Sequence, residues 1–121
     1  MELRKLVAFG LILFTLASCK KESSIEVQNL LPKAVLMNVE WGGLPIDEEI
    51  APGQTSRRIK LSANDSYYDV DLPESRPLKF YMNLNGDKVY LETRTSYRLG
   101  KDQDIVIIIS DTTKVYNPLE E

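Results

Sequence analysis

The feature that most constrains the fold is a dipeptide, Asn85-Gly86, set between two runs of alternating apolar residues at 78–84 and 87–99. Asn-Gly suits the two central positions of a type I′ turn, where both residues take positive φ, and such a turn fixes the register of a hairpin. With these two residues as the loop, Leu84 faces Asp87, Met82 faces Val89 and Phe80 faces Leu91. On the opposite side Tyr81 faces Tyr90 and Lys79 faces Glu92. An apolar face and a polar-aromatic face emerge together, whereas a slip of one residue would swap them.

The remaining chain reads as short strands between turns. Residues 25–29 alternate and form a candidate first strand. In 35–41, Val35, Met37, Val39 and Trp41 share one face and Leu36, Asn38 and Glu40 the other, the period of a half-buried strand. Residues 45–50 make a short edge segment, and Pro52-Gly53 supplies a turn, with Pro fixing φ and Gly giving a positive φ. Ile59 and Leu61 face inward in 55–61. Tyr68, Val70 and Leu72 face inward in the next strand, leaving Tyr67, Asp69 and Asp71 outside. The segment 73–77 is expected as a loop, because each of its two prolines lacks a ladder donor. Ile105–Ile109 is continuously apolar and β-branched, so a central strand covered on both faces is expected there. Residues 114–116 form a final edge and 118–121 a polar tail. With no sustained helical period, the chain is expected to be all-β: a single small antiparallel β-sandwich of about seven strands, spanning residues 25–117.

The first 18 residues differ from the rest. Arg4 and Lys5 precede an uncharged apolar run, 6–16. Eleven residues are too few for a membrane-spanning helix, which needs about 20, and suit the core of a secretory signal. The run ends Leu16-Ala17-Ser18-Cys19, which resembles the lipobox of bacterial lipoproteins. The resemblance implies cleavage after Ser18 and lipidation of Cys19. Cys19 is the only cysteine, whereas exported domains ordinarily use cysteines in pairs. Two or more lipid chains anchor stably where one anchors marginally. Lys20 to Ser24 then reads as a polar tether reaching about 17 Å. In some bacteria an aspartate after the cysteine accompanies inner-membrane retention; Lys20 stands here instead, which favours the outer membrane, with its inner or outer face left open.

The mature chain has 13 basic and 17 acidic residues, a net charge of −4. Nucleic-acid sites are strongly basic, so nucleic acid is not the expected partner. The chain contains no histidine, which removes the usual general base and the commonest metal ligand. With Cys19 acylated, Ser-His-Asp, Cys-His and thiolate or imidazole zinc chemistry are excluded. Asp65, Asp69, Asp71 and Glu74 crowd within ten residues, but their spacing fails the calcium-loop pattern. No cofactor and no metal are expected.

The aromatic pair Tyr81 and Tyr90, flanked by Lys79 and Arg94, is the candidate binding face: a stacking platform for sugars or a contact patch for a protein. The bland alternative is sheet stabilisation, since aromatic cross-strand pairs contribute about 0.2–1 kcal/mol in any case. Trp41 reads as core. Together with the lipobox, the Val39-Glu40-Trp41-Gly42-Gly43 strand end, the 51–56 turn and the Ile-rich strand resemble small β-sandwich lipoproteins of Gram-negative bacteria. That resemblance implies an immunoglobulin-like or transthyretin-like domain and attaches no activity to it. The expected function is a membrane-anchored, non-catalytic binding or interaction module with a protein or glycan partner. A structural or accessory subunit of an envelope complex comes second, and a small carboxylate-dependent hydrolase third.

Replacing Cys19 with Ser is expected to abolish incorporation of a clickable fatty acid during growth. Undiminished label in the variant would overturn the anchor assignment.

Overall fold

The Asn85-Gly86 hairpin forms in the expected register: Leu84 pairs with Asp87, Met82 with Val89, Tyr81 with Tyr90, Phe80 with Leu91 and Lys79 with Glu92. Asn85 and Gly86 take φ of 55° and 91°, as a type I′ turn requires. The computed structural model describes residues 22–120. These hold ten strands and no helix: β1 (Glu22–Asn29), β2 (Val35–Trp41), β3 (Leu44–Ile50), β4 (Ile59–Ser62), β5 (Asn64–Asp65), β6 (Val70–Asp71), β7 (Glu74–Leu84), β8 (Asp87–Leu99), β9 (Asp104–Ile109) and β10 (Val115–Tyr116). The expected signal segment and Cys19 lie outside the described residues.

One sheet has the order β4-β1-β9 and the other β10-β8-β7-β2-β3, with β5 and β6 as a separate small hairpin. Both larger sheets feed one apolar core. Ile25, Val27, Leu61, Ile107 and Ile109 come from the first, and Leu36, Val39, Trp41, Leu78, Phe80 and Leu91 from the second. Burying a side chain of this kind contributes about 1.5–3 kcal/mol, so this shared core is what joins the sheets. Trp41 is fully buried, as expected, and its Nε1 donates to the Tyr97 carbonyl at 3.0 Å.

Several expectations are corrected. The pairing is antiparallel except between β1 and β9, which run parallel. The Ile-rich strand is an edge and not a centre: among the described residues β9 pairs with β1 alone, and Val106 and Ile108 remain 50% and 49% exposed. A continuous apolar run cannot by periodicity reveal which of its faces is covered. Glu22–Ser24, expected as tether, are strand, and the buried Ser23 and Ser24 both find hydrogen-bond partners there. The Ser23 hydroxyl donates to the Gly100 carbonyl at 2.7 Å and Ser24 Oγ to Asp104 Oδ1 at 2.7 Å. The 73–77 segment is mostly strand as well. β2 ends opposite Leu78, so Glu74–Pro77 need a ladder partner on one side only, which β8 supplies. Pro77 gives up no required donor there, and its carbonyl accepts from Gly42 N–H at 2.9 Å. Residues 66–69 turn within the β5–β6 hairpin, so the strand expected at 68–72 is reduced to Val70–Asp71.

The five-stranded sheet is creased along one line. Met37 pairs with Tyr81 and Glu40 with Lys79, so β2 takes three steps where β7 takes two. Val39 pairs with Asp47 and Glu40 with Pro45, so β3 takes two steps where β2 takes one. Pro77 pairs with Ser96 and Lys79 with Glu92, so β8 takes four steps where β7 takes two. The extra residue in β2 is accommodated with Asn38 at φ 50°, and it inverts the alternation. Leu36, Val39 and Trp41 point inward, while Val35 and Met37 are only half-buried, contrary to the expected set.

At the crease a side chain replaces the interrupted ladder. The buried Thr93 Oγ1 accepts from Leu78 N–H at 2.9 Å and donates to the Thr95 carbonyl at 2.8 Å. Thr93→Val keeps the shape and leaves a buried amide without a partner. It is expected to cost about 1–3 kcal/mol in chemical denaturation; an unchanged midpoint would show that the hydroxyl is dispensable.

Candidate functional site

The crease forms one wall of a concavity on the outer face of the five-stranded sheet. It is a groove of about 490 Å³ lined by Asn38, Glu40, Pro45, Asp47, Glu48 and Arg57 together with both tyrosines of the hairpin, Tyr81 and Tyr90. Bulges re-aim side chains and recur beside functional sites. Here they bring the β2 and β3 side chains toward the tyrosine rows of β7 and β8.

Tyr81 and Tyr90 oppose one another across the hairpin, as their register demands. Their ring centroids are 5.0 Å apart and their planes are inclined by 46°. Tyr81 is 38% exposed and Tyr90 is half-buried. Lys79 lies one pair along the same face, its Nζ 3.8 Å from Glu92 Oε1. Arg94 does not join them. The strand irregularity between Glu92 and Ser96 carries it toward β10, where its guanidinium stands 4.6 Å over the Tyr116 ring. The Tyr116 hydroxyl donates to Glu92. Of the four expected residues, then, two line the groove, one borders it, and Arg94 belongs to a neighbouring cluster.

The wall opposite the tyrosines was not legible from sequence. Asp47 on β3 accepts from the Glu48 amide at 2.8 Å, the Arg57 amide at 3.0 Å and the Arg57 guanidinium at 3.3 Å. Partial burial works to raise the Asp47 pKa, but these hydrogen bonds and the Arg57 charge outweigh it and hold the carboxyl below its ordinary value. Arg57 lies in the segment between β3 and β4, so the ion pair pins that crossover to the groove's rim. Glu40 and Glu48 also line the groove, and among the described residues no hydrogen bond or ion pair engages either carboxylate.

The crowded carboxylates at 65–74 have another use. Asp65 accepts from the Ser62 amide and hydroxyl and from the Tyr68 amide, and the Ser62 bond foremost keeps its pKa low. Glu74 accepts from the Asp71 amide and pairs with Arg76. Arg76 also donates to the Gly42 and Asp69 carbonyls and lies 5.2 Å over Trp41. These oxygens shape turns. Tyr67, 87% exposed, sits at the tip of that hairpin with Tyr68 edge-on behind it at 4.8 Å.

Because the folded pKa of Asp47 is depressed, the stability it contributes is present above the unfolded value and is lost as pH falls through the folded one. The stability gap between the native chain and Asp47→Asn is expected to be constant above about pH 5 and to close as pH drops below the ordinary 3.8. A gap independent of pH down to acid unfolding would show that the pair contributes nothing.

Comparison with family models, with curated proteins and with solved structures returns no match for this chain.

Proposed function

We propose that this chain is a lipoprotein of the Gram-negative cell envelope, held at the outer membrane by lipid on Cys19. Its domain, an immunoglobulin-like or transthyretin-like sandwich, is a non-catalytic binding module for a protein or glycan. The sandwich assignment draws support from two sheets that share one core. The anchor draws on the sequence alone: Arg4, Lys5, the apolar run and Leu16-Ala17-Ser18-Cys19. Because β1 begins at Glu22, only Lys20 and Lys21 separate Cys19 from the sheet, a reach of about 10 Å. Such a domain rests against the bilayer and meets partners that come to the surface.

The single observation that carries the binding role is the Tyr81–Tyr90 pair opening onto the creased groove. Tyrosines supply large contact area with few rotatable bonds, which is why they recur in recognition surfaces. Hydrolysis has less support, since nothing in the groove singles out two carboxylates as an acid and a base, and Asp47 is engaged by Arg57. The second reading, an accessory subunit of an envelope complex, draws on β9. Its outer edge has no strand partner among the described residues, and it presents Val106 and Ile108. Unpaired apolar edges invite addition of another strand.

Tyr81→Ala and Tyr90→Ala in the lipid-bearing chain are expected to cost at most about 1 kcal/mol of stability, the scale of a cross-strand pair. The double variant should recover no more than about a tenth of the partners that the native chain captures by cross-linking in solubilised envelope, by quantitative mass spectrometry, a loss of about 1.4 kcal/mol of binding. Undiminished capture would sink the binding-face reading, and unfolding would show that the rings are structural.

A further inference from the structure

The groove's chemistry narrows its ligand, given that the outer face is the binding surface. A pyranose ring stacks on a flat aromatic plane. The Tyr81 and Tyr90 rings are inclined by 46° at 5.0 Å, so they offer no single flat plane. The negative face of a tyrosine ring attracts a cation, and Tyr81 is the more open of the two. The charge at the rim has the matching sign. Of the three carboxylates lining the groove, Asp47 is neutralised by Arg57, while those of Glu40 and Glu48 have no partner among the described residues. Arg57 is the one cationic residue lining the groove among the described residues, and its guanidinium is turned onto Asp47. Neighbouring Lys79 is drawn to Glu92 on the far strand. Two uncompensated carboxylates therefore border two tilted tyrosines whose hydroxyls have no partner among the described residues.

We propose that this groove takes a lysine or arginine side chain presented by a protein partner, with Tyr81 and Tyr90 against the cation's flanks and Glu40 and Glu48 closing the ion pairs. Arg57 has a positioning role: by holding Asp47, it sets the β3 wall and keeps the third carboxylate from drawing the cation off the rings. The crease through Asn38 is what makes the contact feasible. Without the extra residue in β2, alternation from Leu36 would turn Val39 outward and Glu40 into the core.

The experiment is an NMR titration of the mature lipid-bearing chain in nonionic detergent micelles, following the ring protons of Tyr81 and Tyr90. Three probes are compared: N-acetyl-lysine methylamide, N-acetyl-arginine methylamide and the neutral disaccharide cellobiose. The expected result is saturable shifts of both rings with a cationic probe and none with cellobiose. Raising salt from about 0.02 M to about 0.2 M should weaken binding severalfold, as the screening length shrinks. Glu40→Gln and Glu48→Gln should each weaken it about threefold and together about tenfold, with an unchanged melt. That pattern separates ion pairing from stacking alone. Cellobiose shifting the rings, with no effect of either cation, would overturn the cation assignment and leave the binding face intact as a sugar site. Absence of any shift with all three probes would overturn it as well, and the partner-capture comparison with the tyrosine variants would then decide whether the face binds anything. Cation binding that survives the double glutamine variant would overturn the role of the two glutamates.

Discussion

Wherever a strand leaves its ladder, the backbone groups it abandons must find another partner inside the protein, because a buried amide or carbonyl left alone costs about as much as a hydrogen bond. In this domain buried side chains meet that obligation. Asn29 is fully buried at the end of β1; its amide donates to the Ala34 and Ile50 carbonyls, and its oxygen accepts from Leu31 N–H. One side chain thus ties β1, the loop into β2 and the end of β3. Ser56 plays the same part where the chain crosses between sheets, accepting from Val27 N–H and donating to the Arg57 carbonyl. Ser23 closes the other end against Gly100 and Gln103. No buried side-chain nitrogen or oxygen is left without a partner among the described residues.

The groove depends on the same arrangement. A sheet with extra residues at one level in three of its strands would lose pairing there if nothing filled the gap. Thr93 fills it on the β8 side, and the Asp47–Arg57 contact braces the β3 side. Between these braces the sheet can hold a concave outer surface. A flat, regular sheet would have offered only a row of side chains. The binding surface is therefore a property of irregularity held in place, and its neighbours across the sheet are the ordinary ladder pairs of the hairpin.

What could be read from the sequence divides along the same line. The hairpin was legible residue by residue, because Asn85-Gly86 fixes the turn and every pair follows by counting outward. The orientation of Tyr81 and Tyr90 came with it, as did the burial of Trp41 and Leu61. The bulge in β2 was not legible: Leu36–Val39–Trp41 inverts the parity that Val35–Met37–Val39–Trp41 suggests, and no residue type announces the extra step. Glu40, Asp47 and Arg57 were missed for that reason. They meet through irregular pairing and through a crossover, neither of which local periodicity encodes. Arg94 was misplaced because parity was carried through a stretch of β8 that does not keep it. Ile105–Ile109 was read as a centre because five apolar residues look alike from either side, and the parallel partner that leaves one edge bare lies some eighty positions earlier.

That last separation has a consequence in time. β1 is the middle of its sheet, yet one of its two partners, β9, pairs with it in parallel across about eighty residues, Ile25 beside Ile105 and Asn29 beside Ile109. Long-range parallel pairing closes late, because the loop it shuts must first be ordered. The hairpin of β7 and β8 needs only its own turn and can form early. A chain emerging from its N-terminal end therefore displays one edge of β1 long before the strand that pairs with it exists. Until β9 arrives, that edge of β1 has no ladder partner. Folding speed and vulnerability to aggregation are set at the same place, the final docking of one short isoleucine-rich strand, and a substitution there should show first as a loss of yield.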